Sequence, residues 1–227
     1  MKLMLKCWPM RFSLLLLLIF GFFLSWRSEG KAEKKPALAI LPFFVERVED
    51  PGRGVVCPIC KGVYRRGEIL PGSQNTLTRL LDQKFEAMGK FAVLPIEKVE
   101  EALSQREKRH FEESPISSSI RFGRDLGMDF ILVGFLFRFE ERIGSSIGVE
   151  KPASVGCDLH LFRLRDGKMV WLGKFDETQR PLSENLLKIR SFIRRKARWL
   201  TAEELASVGM DEMLRRLPDP KELEERQ

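Results

Sequence analysis

The stretch MDFILVGFLFRFEE, residues 128–141, limits the fold more than any other part of this chain. It predicts the longest strand of the chain, the backbone of a mixed sheet. Gly134 inside it marks a bulge or a close approach by other backbone or side chain. Two more strand-like segments follow, ASVGCDLHLFRL (153–164) and KMVWLGKFDET (168–178), on either side of Arg165-Asp166-Gly167. Asp166-Gly167 is a two-residue hairpin signal, because a type I′ turn needs positive φ at both positions.

Upstream, strands and helices alternate. ALAILPFF (37–44) predicts a buried strand. Residues 46–74 are rich in Gly and Pro and read as one long loop, a length that in a compact domain is functional or stapled. NTLTRLLDQKFEAMG (75–89) predicts a helix capped by Asn75 or Thr76, with Leu77, Leu81, Phe85 and Met88 on one face and Gly89 at its stop. FAVLP (91–95) is a short strand, and IEKVEEALSQREKRHF (96–111) is a charged helix with a thin stripe of Ile96, Val99 and Leu103. A short helix falls around 120–126. After the hairpin, LSENLLKIRSFIRRKARWL (182–200) has near-helical apolar spacing, and Thr201 with Glu204 forms a capping box for the helix over 201–217.

The fold class predicted is therefore α/β: a single domain with a mixed sheet of about five strands packed with helices, in the order β-α-β-α-β-β-β-α-α. The domain spans 37–217, with the 46–74 loop inside it and helices over 182–217 at its end. Residues 31–36 are a linker and 218–227 a tail.

The N-terminus has a different grammar. Lys2, Lys6 and Arg11 precede the apolar run FSLLLLLIFGFFLSW (12–26), which is short for a spanning helix and fits a secretory signal. Residues 1–30 are read as a signal peptide or an uncleaved membrane anchor. The expected location is periplasmic, with attachment to the inner membrane by that segment or association with the outer membrane as variants. The formal net charge is +7, but Lys2, Lys6, Arg11 and Arg27 lie in the leader with only Glu29 against them. The mild excess left, and export, argue against nucleic acid as a partner.

The segments LGMDFILVGFLFRF and VGCDLHLFRLRDGKMVWLGKFDET, with Gly134, Asp166, Gly167 and Trp171 as their sharper letters, resemble the curli production assembly/transport component (CsgG) family. They are also similar to its fold relatives, the N-terminal domain of the Tol-system translocation protein and the outer-membrane lipoproteins that activate peptidoglycan synthesis. The resemblance spans Ala37 to about Thr178. It implies a non-enzymatic envelope protein that docks to other envelope proteins or assembles with copies of itself. The curli-type proteins place long membrane-spanning hairpins where this chain has only 138–153, which is too short for one.

Cys57 and Cys60, in VVCPICKGVY, are the chemically pointed residues. A C-x2-C pair in an exported chain predicts a disulfide or paired thiols bracing the loop. The alternative is a zinc or thiol-redox site, with Cys157, His160 or His110 as further ligands. Cys157 and His160 are three apart in a strand and so face opposite sides unless a bulge intervenes. No cofactor is expected in the first case, zinc in the second. No catalytic residue is assigned. GSSIG (144–148) matches a hydrolase motif around Ser146 but leads into a strand and fits a hairpin tip. Lys188, Arg190, Arg194, Arg195, Lys196 and Arg198, with interleaved aromatics, form a candidate surface for anionic membrane or a partner.

Overall fold

The computed structural model describes residues 34–45, 54–103, 114–180 and 198–226. The chain divides into two units, 1–34 and 35–227, and the description below concerns the second. His110, the 182–197 part of the expected basic helix and the leader lie outside the described residues.

The centre is a six-stranded mixed sheet. Strand β1 (Ala37–Ile40) and the short β2 (Phe44–Val45) run one after the other, parallel to the long strand they both pair with, β6 (Phe130–Glu140). On its other edge β1 pairs in parallel with β5 (Ala92–Val93). β6 then pairs antiparallel with β9 (Ser154–Arg163), and β9 with β10 (Lys168–Thr178), which is one edge of the sheet. The single domain and mixed sheet agree with the sequence; the strand beyond the five anticipated is β2.

Both faces of β6 and β9 are covered, which is why β6 is apolar at consecutive positions and β9 buries all ten of its residues, polar ones included. On one face lie α1 (Ser73–Met88), α4 (Ala202–Leu214) and α5 (Pro220–Glu225), packed on Leu132, Leu136, Leu159, Leu161 and Phe175. On the other lie α2 (Ile96–Ala102) and α3 (Pro115–Asp125), which bury Val99 and Phe122 against Ile131, Val133 and Phe162. Leu77, Leu81 and Phe85 of α1 are buried as their spacing predicted. Gly134 leaves room for the Phe43 ring, since a Cβ there would sit 2.7 Å from it.

Local chemistry corrected three expectations. Helix α1 begins at Ser73 behind Gly72, whose positive φ of 79° makes the turn, rather than at Asn75 or Thr76. At Asp166-Gly167 only the glycine takes positive φ, 71°. The loop is therefore the four residues 164–167 rather than a two-residue type I′ turn, and Asp166 instead accepts from Arg163 Nε at 3.0 Å. The segment read as one long loop contains a hairpin, β3 (Val55–Val56) with β4 (Val63–Tyr64). Its continuation, residues 65–70, runs along β6 and bridges to it at Ile69 and Phe139. Ser146 lies at the tip of the hairpin between β7 (Ile143–Gly144) and β8 (Val149–Lys151). Among the described residues no helix is long and apolar enough to cross a membrane.

Candidate metal centre

The β3–β4 hairpin carries the two loop cysteines at its turn. Pro58 pre-sets φ after Cys57, and Lys61 adopts φ of 57°, so the chain reverses tightly enough for the Cys57 amide to bond the Gly62 carbonyl at 2.8 Å. This knuckle aims backbone donors at sulfur. The amides of Ile59 and Cys60 both donate to Cys57 Sγ at 3.4 Å, and the amide of Gly62 donates to Cys60 Sγ at 3.4 Å. Such amides favour the charged thiolate over the thiol.

The knuckle sits on strand β9, where alternation decides which side chains it meets. Asp158 and His160 are two apart, so both project to the hairpin side. Cys157 projects to the opposite face, into the core around α4, and does not join them. Asp158 lies in register between Phe135 and Lys174, and His160 between Val133 and Leu172. His160 is fully buried, with Phe135 edge-on at 6.0 Å and 80°.

Cys57, Cys60, Asp158 and His160 thus converge, each offering a ligand atom within 4.8 Å of the others. Cys57 Sγ is 3.6 Å from His160 Nε2, and the Cys60 thiol donates to Asp158 Oδ2 at 3.5 Å. With zinc bonds of about 2.3 Å to sulfur and about 2.0–2.2 Å to nitrogen or oxygen, the edges of a tetrahedron between unlike donors are about 3.6 Å. The Cys57–His160 and Cys60–Asp158 separations match two of its six edges, and all four donors lie within 4.8 Å of one another. Tyr64 Oη donates to Asp158 Oδ2 at 2.9 Å, while Asp158 Oδ1 and His160 Nδ1 are 3.7 Å apart, both fully buried and neither making a hydrogen bond of good geometry.

Burial dominates the electrostatics of the cluster. Burial, and then the Asp158 carboxylate, push the Cys57 thiol far above its ordinary value. Burial raises the Asp158 carboxyl against the opposing pull of His160, and burial lowers the His160 imidazole. Burial and then Asp158 likewise keep the Tyr64 phenol protonated. A divalent ion reverses this balance, because thiolates and carboxylate coordinated to it are favoured in their charged forms.

The sequence had proposed Cys57, Cys60 and His160 among its candidates, but not Asp158 or Tyr64. Asp158-x-His160 is a readable signal: two polar residues on one face of an otherwise apolar strand. Arg198, of the basic group, is described and pairs with Glu204.

No family model matches the chain, and no curated protein does. Solved structures similar to it include a hypothetical protein from Chlamydia trachomatis, 14% identical over 80% of this chain and 95% of that one, with a TM-score of 0.47. The PelC dodecamer from Paraburkholderia phytofirmans is 11% identical over 79% of this chain and 86% of that one, with a TM-score of 0.43. The C-terminal domain of LpoB from Salmonella enterica is 14% identical over 66% of this chain and 87% of that one, with a TM-score of 0.37. At these values none of the likenesses assigns a function.

Proposed function

We propose that this chain is an exported, non-enzymatic docking module of the bacterial envelope, and that one zinc ion held by Cys57, Cys60, Asp158 and His160 fastens its β3–β4 hairpin to the sheet. The observation that carries the reading is the convergence of four donors within 4.8 Å, two of whose separations, 3.5 and 3.6 Å, are the length of a tetrahedral edge. Two thiolates and an imidazole suit zinc rather than a hard cation. Four protein ligands close the coordination sphere, which is the pattern of a structural site and leaves no position for a reacting water. A thiol-redox role fits less well. A redox cysteine is activated by a lowered pKa, usually at a helix N-terminus, whereas the Cys57 thiol is raised by burial and stands in a hairpin turn. Export rests on the leader of residues 1–30, and docking to other envelope proteins on the resemblance together with the closed site.

Elemental analysis of the protein tests the zinc centre, and fractionation of native cells with an assay for turnover tests the docking role. One zinc per chain is expected, and Cys57→Ser is expected to purify with less than about a tenth of that. A parent chain carrying no metal would remove the zinc centre. Confinement of the native protein to the cytoplasm, or turnover of a substrate, would remove the docking role.

A further inference from the structure

We propose that Tyr64 is a positioning residue of the metal centre, whose hydroxyl holds the Asp158 carboxylate in the orientation from which Oδ2 meets the ion. The inference rests on the zinc reading above. Tyr64 is the single tyrosine of the chain and is buried, 3% exposed. It stands on β4, four residues after Cys60, so the knuckle and the phenol move as one hairpin. Its ring stacks on Phe137 at 4.1 Å and 14°, and Phe137 lies parallel to Phe135 at 6.4 Å and 11°. The edge-on contact of Phe135 with His160 completes the row. One line of aromatic side chains along β6 therefore sets the phenol at one end and the imidazole ligand at the other.

Asp158 Oδ2 accepts two hydrogen bonds, from Tyr64 at 2.9 Å and from the Cys60 thiol at 3.5 Å. When Cys60 binds a metal it does so as the thiolate, and its proton is lost. Tyr64 is then the donor that remains on that oxygen. A partner that orients a ligating carboxylate contributes to affinity without touching the ion.

The test is Tyr64→Phe in the full chain, which keeps the ring and its stack and removes only the hydroxyl. Zinc affinity is measured by competition with a chromogenic chelator, and coordination geometry by the visible spectrum of the cobalt(II)-loaded protein. The dissociation constant is expected to weaken roughly 10- to 100-fold, with a shift of the cobalt bands that a packing role would not produce. An affinity within about twofold of the parent overturns the proposal. So does a weaker affinity with an unchanged cobalt spectrum. A second measurement is the near-UV difference spectrum on adding zinc up to one equivalent: a tyrosine component present in the parent and absent in Tyr64→Phe is expected, and identical difference spectra count against the assignment. A parent that binds neither metal fails differently, by removing the zinc reading itself.

Discussion

Arg138 is only 1% exposed, and its guanidinium joins three parts of the molecule. It donates to Ser154 Oγ on β9 at 2.6 Å, pairs with Asp176 on β10 at 2.5 Å, and donates to the Arg65 carbonyl of the hairpin's continuation at 2.5 Å. Gly67 lies against its stem, where a Cβ would fall 2.3 Å from Arg138 Cδ. Arg138→Met keeps the stem and removes the charge, leaving the Arg65 carbonyl without its side-chain donor and Asp176 without its cation, although the Arg65 amide still donates to it. A loss of about 3 kcal/mol is expected, measured as a lower urea midpoint with an unchanged slope. Burial of Arg138 could not be read from FLFRFEE, because a lone arginine near a strand end is usually exposed. Its place depends on a register shift between Leu136 and Arg138 that turns it inward. Asp158 was legible in principle, since period-two alternation alone puts it beside His160. Its significance emerges only once the knuckle is seen to land there.

Elements whose signals are local were readable, and those built by backbone or by distant partners were not. Helix α4 starts where its capping box predicts: Glu204 N donates to Thr201 Oγ1 at 3.2 Å, and Thr201 N to Glu204 Oε2 at 3.0 Å. Thr201→Ala is expected to lower stability by about 1 kcal/mol, with Thr201→Ser close to the parent, in chemical denaturation. The start of α1 was misplaced because its turn is made by the conformation of Gly72, with no side-chain cap to announce it. The β3–β4 hairpin escaped notice for a different reason. Its strands are two residues each, too short for any hydrophobic period, and they are held by the sheet beneath. The expected I′ turn at Asp166-Gly167 gave way because the Asp166 carboxylate is engaged by Arg163.

Across the whole molecule, the proposed ion would join the first third of the domain to its central hairpin. Binding to the folded state alone stabilises it by RT ln(1 + [L]/Kd), about 4 kcal/mol when free zinc exceeds Kd a thousandfold. For a domain of this size that is a fall in melting temperature of roughly 10 °C on chelation. Scanning calorimetry with and without a strong chelator checks it, and restored zinc should recover the difference. The same treatment should raise the rate of protease cleavage in the β3–β4 turn, residues 57–62, which loses the ion while the segment after it keeps its bonds to β6. A melting temperature indifferent to chelator would mean that Arg138 and the packing of Tyr64 already hold the hairpin without metal.

Cys57 and His160 are 103 residues apart, and Cys60 and Asp158 are 98 apart. At usual rates of synthesis the thiols emerge roughly 5–20 s before the strand that receives them. On the proposed export route they would travel ahead of their shelter, into a space where oxidants are plentiful. Once β9 arrives, Cys57 is sealed beneath the hairpin with no exposed surface at all. The chemical vulnerability of Cys57 therefore belongs to the nascent polypeptide, whereas Cys60 stays partly exposed in the finished one, and a cell that makes this protein has reason to guard the pair in transit.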